Sequence, residues 1–328
     1  MKNKAKKDWK KIADELLNAL NCSDFEELPI ADDCKRKLKR NVKDFPYYAK
    51  IYAACLQGLD DVENSVLVDY GGGLAFLSQF AKMYGVAKVI YVDINPESAH
   101  AAEELTRKLG FGPDTVVRGD SQALKEWCIA NSVAPNYLVS VDVIEHIYRL
   151  DTFFDEILSV NPSIKMVFTT ASNPCNALKV RRLHKAMIGD ETGTCENPNF
   201  YTLRRDYIRT QYPDFDENTL TRWASATRGL VFDDIKAVVD GEKPLPSVDG
   251  YNTCDPRTGS WTERVLPLSE YRRLLAKHQR ILRVENGFYD THRAQPQKMF
   301  RAALNVIIRL LPHLGRSIAP FIFLKTKY

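Results

Sequence analysis

Residues 65–170 alternate between short, wholly apolar runs and stretches with a helical period. SVLVDY, KVIYVD, TVVRGD, NYLVSVD and KMVFTT read as strands. LAFLSQFAKMY, PESAHAAEELTRKLG, SQALKEWCIA and residues 147–160 read as the helices between them. Strands that are apolar throughout, without alternation, are covered on both faces, which predicts a parallel sheet sandwiched between helices. Right-handed crossovers then impose a doubly wound α/β fold, whose ligand crevice lies beyond the carboxyl ends of the strands.

The flanking regions have a different texture. Trp9, Ile12, Leu16, Leu17 and Leu20 recur at helical spacing, and a second series runs through Tyr47, Tyr48, Ile51, Tyr52, Cys55 and Leu56. Pro46 is expected to break or kink the chain between the basic stretch KRKLKRNVK and this second helix. Residues 1–60 thus form a helical N-terminal cap. Residues 172–263 lose the strand-helix rhythm among several X-Pro breaks and read as a helical insertion, a candidate acceptor lid. The rhythm returns over 264–328, where LSEYRRLLAKHQ and QKMFRAALNVIIRLLPHLG look helical, and RILRVENGFYD and APFIFLKTKY look like strands. The expected core domain is therefore 61–171 with 264–328, a mostly parallel sheet of seven strands. The helix at 297–314 is expected to pack its apolar face against that sheet, with contact to lipid as the alternative.

Composition narrows the classes. Of 328 residues, 45% are hydrophobic and 27% charged, enough apolar material for a large core and too much for disorder. The net charge of +4 does not demand a nucleic-acid partner. Seven unpatterned cysteines, with no CxxC pair, suit a reducing compartment. The Lys-rich start leads into an amphipathic pattern rather than an apolar signal region. The apolar stretch 302–311 contains Asn305 and Arg309 and stops at Pro312, too short and polar to span a bilayer. The expected location is the cytoplasm.

Candidate chemistry begins at VLVDYGGGLAFLS. Gly71, Gly72 and Gly73 follow a strand ending at Asp69 and Tyr70 and precede a helix expected to start near Leu74. Glycines there permit a tight turn and close approach of a ligand to the backbone, and the helix N-terminus favours an electronegative group. A dinucleotide G-x-G-x-x-G fingerprint fails, because Phe76 occupies the third glycine position. What fits is acidic-x-G-x-G-x-small, through Asp69, Gly71, Gly73 and Ala75. Asp93 with Ile94 closes the second strand, Gly119-Asp120-Ser121 the third, and VSVDVIEHI the fourth. With these motifs in this order, the sequence resembles the class I S-adenosylmethionine-dependent methyltransferases, of the ubiquinone-type and small-molecule kind, over about residues 60–171 and more loosely over 264–328.

The resemblance implies a Rossmann-like fold and S-adenosylmethionine as cofactor. Asp93 would accept the ribose hydroxyls, Asp120 would lie beside the adenine amine, and Asp69 and Asp142 would support the site. The reaction would transfer a methyl group to an oxygen of a small-molecule, sugar or carrier-linked glycan acceptor. An activated sulfonium methyl needs mainly positioning, exclusion of water and a proton acceptor. His146 is the candidate base, with Glu145 orienting it, because imidazole titrates near working pH. The alternative is that His146 caps the following helix or packs beside the cofactor. Asp142-x-x-Glu145-His146 also resembles the E-x-x-E-H metal site of ubiquinone and small-RNA 2′-O-methyltransferases. A divalent metal on Asp142, Glu145 and His146, completed by His184, is therefore a second option.

In the insertion, Phe200, Tyr201, Tyr207, Tyr212, Trp223 and Trp261, with Arg181, Arg182, Arg204 and Arg205, line either an acceptor pocket or a satellite core. An RNA methyltransferase, an NAD-dependent enzyme and a non-catalytic cofactor-binding module remain as rival readings.

Overall fold

The computed structural model describes residues 8–21, 25–193, 199–247, 250–292 and 297–327. Cys22 and Cys195 lie outside the described residues. Cys34, Cys55, Cys128, Cys175 and Cys254 are free thiols.

Two helices lead, α1 (Trp9–Asn21) and α2 (Asp32–Leu56), followed by the alternating core. Its elements are β1 (Val66–Tyr70), α3 (Phe76–Tyr84), β2 (Lys88–Asp93), α4 (Pro96–Leu109), β3 (Thr115–Arg118), α5 (Ser121–Ala130), β4 (Tyr137–Val141), α6 (Leu150–Val160) and β5 (Lys165–Thr170). The insertion holds α7 (Ala177–Thr192), α8 (Phe200–Gln211), α9 (Glu217–Ala226) and α10 (Phe232–Val239). The chain then adds α11 (Leu268–Ala276), β6 (Ile281–Asn286), α12 (Lys298–Leu310), α13 (Pro312–Ile318) and β7 (Ile322–Lys327). The seven strands make one sheet in the order β3-β2-β1-β4-β5-β7-β6. Neighbours from β3 to β5 are parallel, and β7 runs antiparallel to both β5 and β6. This is the doubly wound α/β architecture, with the order reversing at β1 and β4.

Apolar strands account for the burial. Leu67, Val68, Val89, Ile90, Leu138 and Val139 are all fully buried, because helices cover both faces. On one face, α1, α2 and α3 pack together through Leu16, Leu20, Leu38, Phe45 and Phe80. On the other, α5, α6 and α11 pack through Leu124, Phe153, Phe154 and Leu275.

Three expectations are corrected. First, α2 runs unbroken through Pro46 for 25 residues. Its buried positions Cys34, Leu38, Phe45, Ala49, Tyr52 and Leu56 keep one helical stripe, and Phe45 meets Phe76 edge-on at 5.7 Å. Core packing on both sides of the proline overrides the local backbone preference. The basic stretch lies along this helix, with Arg36 and Lys37 paired to Asp33. Second, α3 starts at Phe76 rather than near Leu74, because Gly73 and Ala75 adopt positive φ (+54° and +60°) and lengthen the turn. Third, α12 does not pack its apolar face on the sheet. Ile308 is its one buried residue, while Met299, Phe300, Val306, Ile307 and Leu310 are exposed.

The insertion builds its own small core from Ile208, Leu220, Ala224 and Ile235, with Tyr201, Tyr207, Tyr212 and Trp223 packed around it. Arg204 is fully buried. Its guanidinium pairs with Glu191 and donates to the Ala224 carbonyl at 3.0 Å, while Thr253 donates to Glu191 at 2.7 Å. Burial alone would raise the Glu191 carboxyl, but Arg204, Thr253 and Arg228 together hold the group below its ordinary range. These aromatics and Arg204 are therefore committed to packing, and the satellite-core alternative describes them.

Candidate functional site

The turn after β1 is shaped by steric necessity. Gly71 has φ +71°, and a Cβ there would lie 2.5 Å from a Val143 methyl. A Cβ on Gly72 would lie 2.6 Å from the Tyr91 ring, whose hydroxyl donates to the Gly73 carbonyl at 2.7 Å. Ala75 is fully buried among Tyr91, Ala99 and Ala102, which explains why a small residue stands there. The Gly71 and Gly72 amides both donate to the Val92 carbonyl, so the turn is tied across to β2.

Asp93 ends β2 and fastens the other side of the turn. Its Oδ2 accepts from the Gly73 amide at 2.9 Å and its Oδ1 from the Asn95 amide at 2.8 Å. A carboxylate has about four acceptor positions, so each oxygen keeps room for one more donor. Asp120 caps α5, with Oδ1 accepting from the Gln122 and Ala123 amides, both at 3.1 Å. Ser121 donates to Glu156.

Asp69 is buried beneath the turn and accepts from the Ser78 amide at 3.0 Å and hydroxyl at 2.6 Å. Burial raises its carboxyl to about 7, against the lowering effect of Ser78. Unfolded, the same group loses its proton near 3.8. Between these values the folded chain holds a proton that the unfolded chain has released, so this group's contribution to stability falls as pH rises through the window. In an Asp69→Asn variant, stability relative to the parent is expected to improve by up to about 1.4 kcal/mol per pH unit from pH ~4 to ~7. Thermal melts across that range read the difference, and a gap independent of pH would show the carboxyl already ionised.

Two cavities meet at Gly71. The larger, about 680 Å³, is bordered by Asp93, Ile94, Gly119, Asp120, Ser121 and His146. The smaller, about 180 Å³, is bordered by Asp69, Gly71, Gly72, Gly73 and Asp142, with Tyr48 of α2 across from them. The larger is of a size usual for small-molecule sites. Ile94, which borders it, is 74% exposed. All ten residues expected from the sequence to bind a cofactor border one cavity or the other.

After β4, Asp142 takes φ +54° and a short 3-10 turn covers Ile144–His146. The Asp142 carboxyl accepts from the Thr169 hydroxyl at 3.2 Å while its amide donates back to Thr169, and burial pushes the carboxyl up. Glu145 is buried as well. Its Oε1 accepts from the Ala171 amide at 3.1 Å, while Oε2 has no hydrogen-bond partner among the described residues. Burial first, then the neighbouring Asp142 charge, push the Glu145 carboxyl well above its ordinary value. His146 Nδ1 lies 2.7 Å from the Trp261 carbonyl. A carbonyl only accepts, so Nδ1 carries the proton and Nε2 of the neutral ring keeps its lone pair. It is Trp261, not Glu145, that orients this imidazole.

The end of the insertion returns here. Amides of Trp261 and Arg264 donate to the carbonyls of His146 and Glu145, and Thr258, Gly259 and Ser260 border the larger cavity. Tyr148 and Arg149, on the same rim, both bond to Asp234 of α10. Burial would raise Asp234, but Lys243, Arg149 and Tyr148 lower it to about 2.

Among the described residues, the group of possible metal donors is Glu145, His146 and Glu263, with atoms within 4.8 Å of one another. His184 is not part of it. It stacks flat on Tyr251, ring centres 3.9 Å apart. Glu263 was missed by sequence reasoning, since it lies 117 residues beyond His146 in an irregular segment with no motif. Tyr48 was read only as part of an apolar helix stripe, and Tyr148 and Arg149, two and three residues beyond His146, carry no motif of their own.

No family model matches the chain, and no curated protein matches it. Among solved structures, it is similar to an S-adenosylmethionine-dependent methyltransferase from Mesorhizobium loti. That match has 12% identity and a TM-score of 0.41, and covers 87% of this chain and 97% of the other. A putative methyltransferase of the same kind from Listeria monocytogenes matches at 12% identity and a TM-score of 0.40, covering 84% and 95%. SMU.776, a putative methyltransferase complexed with SAH, matches at 9% identity and a TM-score of 0.31, covering 41% and 38%. The functional reading rests on the residues of the site rather than on these distant likenesses.

Proposed function

We propose that this chain is an S-adenosylmethionine-dependent methyltransferase acting on an oxygen of a small-molecule, sugar or carrier-linked acceptor. The observation that carries the reading is the crevice at the carboxyl ends of β1 to β4. There the glycine turn, the carboxylate of Asp93, Ile94 and the Gly119-Asp120-Ser121 corner border one cavity. Asp93 is aimed by two backbone amides and keeps acceptor positions for a diol. The adenosine half would lie in the larger cavity, and the amino-acid half would reach past Gly71 toward Asp69 and Asp142 in the smaller.

Bound S-adenosylmethionine would supply a methyl group already activated on a sulfonium. The chain's part is to position the acceptor, exclude water and take a proton. His146 suits the last task, since its tautomer leaves Nε2 unprotonated and the residue borders the larger cavity. Glu145, buried beside His146, is a positioning residue whose Oε1 accepts from the Ala171 amide. With a divalent ion bound, Glu145, His146 and Glu263 would hold it, and it would lower the pKa of an acceptor hydroxyl. The proposal does not depend on that ion.

Titration calorimetry with adenosylhomocysteine tests the reading. Saturable heat is expected from the folded protein, and no heat in any of several buffers would overturn it. NADH should compete with none of that heat, as Phe76 in place of the third fingerprint glycine indicates.

A further inference from the structure

The most amphipathic helix of the chain faces the wrong way for a core element. α12 is attached to the body by its polar side. Asn305 accepts from the Tyr289 amide at 2.7 Å and donates back to the Tyr289 carbonyl at 2.9 Å, while Arg301 donates to the Asp290 carbonyl. The opposite arc carries Met299, Phe300, Ala303, Val306, Ile307 and Leu310, all exposed, with Met299 at 85% and Phe300 and Leu310 both at 66%. Leu311 and Leu314 extend the patch past the end of the helix. Such a contiguous exposed apolar face on a folded protein marks an interaction surface.

Charge identifies the occupant. Beyond Asp290 the sequence contains no Asp or Glu but seven Lys and Arg residues. Lys298 and Arg309 flank the apolar arc along one side of the helix. Behind Arg309 opens a cavity of about 590 Å³, bordered by Lys50, Arg283, Arg309 and Arg316 with Glu285 as its one acid. A second copy of the chain would bring two equally basic segments together, which electrostatics opposes. Apolar side chains rimmed by cations, on a helix too short to cross a bilayer, fit an interface of acyl chains and anionic headgroups.

We propose that α12 and the start of α13 form a peripheral docking surface for an anionic lipid bilayer, with the adjoining basic cavity receiving a phosphate headgroup. Helix α2 links this surface to the crevice, since Tyr48 borders the smaller cavity while Tyr47 donates at 3.0 Å to the carbonyl of Phe288, which borders the basic cavity. The inference stands on this geometry and is independent of the methyl-transfer reading.

Vesicle co-sedimentation tests it. The parent protein is expected to pellet with vesicles of three parts phosphatidylcholine to one part phosphatidylglycerol at low salt, and not with phosphatidylcholine alone. Phe300→Asp and Leu310→Asp should each weaken binding at least about tenfold by placing a charge in the apolar contact. Lys298→Glu and Arg309→Glu should each cost about fivefold or more. Ile129→Asp, at an equally exposed apolar position on α5, should bind like the parent, and melting curves would show that each variant is folded. Failure of the parent to pellet with the anionic vesicles would overturn the proposal, as would full binding by the Phe300 and Leu310 variants. So would concentration-dependent dimerisation in light scattering that those two substitutions abolish, since a second copy would then cover the face. Adenosylhomocysteine binding is read separately, so neither result depends on the other.

Discussion

Replacing Asp93 with alanine is expected to weaken adenosylhomocysteine binding by about 1.5–3 kcal/mol, roughly tenfold to 150-fold, the usual loss for hydrogen bonds to a charged acceptor. The variant removes two things together, the acceptors for the ribose hydroxyls and the tie to the Gly73 and Asn95 amides. Asp93→Asn separates them, because its amide oxygen keeps one acceptor while losing the charge. Loosening of the turn would appear as a lower melting temperature, and loss of the ribose contact as weaker binding at unchanged stability. Calorimetry on both variants is the measurement. Unchanged affinity in Asp93→Ala would place the sugar elsewhere.

His146→Ala is expected to lower the methyl-transfer rate by about 10²- to 10⁴-fold on a hydroxyl acceptor, the usual contribution of a positioned base. Binding of adenosylhomocysteine should stay within about threefold of the parent if the imidazole serves the acceptor and not the cofactor. The structure makes the distinction testable. His146 borders the same cavity as Asp93 and Asp120, so a packing role beside the cofactor would show as a parallel loss of affinity and rate. The pH-rate profile adds a second readout, since a base at this position imposes an acidic limb that the variant lacks. Radiolabelled donor assayed over a panel of hydroxyl-bearing acceptors supplies the rates.

The alternating core was legible because its signals are local. Mainly apolar runs of four to six residues marked β1 to β5, and residues at their carboxyl ends are set in space by the sheet itself. Asp93 and Asp120, at the ends of neighbouring strands, therefore point to one crevice from the sequence, and both border the larger cavity. What was hidden depends on contacts distant in sequence. The continuity of α2 through Pro46 follows from Phe45 packing on Phe76, 31 residues away. The orientation of His146 comes from the Trp261 carbonyl, and the donor group around it gains Glu263 from the same irregular segment. The apolar stripe of α12 was visible in the sequence. Its outward direction was not, because an amphipathic pattern gives the two faces of a helix without saying which one meets the protein.

The position of β7 between β5 and β6 has a consequence for biosynthesis. While the polypeptide emerges from the ribosome, β1 to β5 can assemble as soon as they are made, whereas β6 finds no partner until the strand translated after it arrives. Until then β5 presents a bare edge that is open to pairing with other nascent chains. A pause in translation between these two strands would lengthen that exposure, and the yield of native protein should depend on how quickly the ribosome completes this stretch.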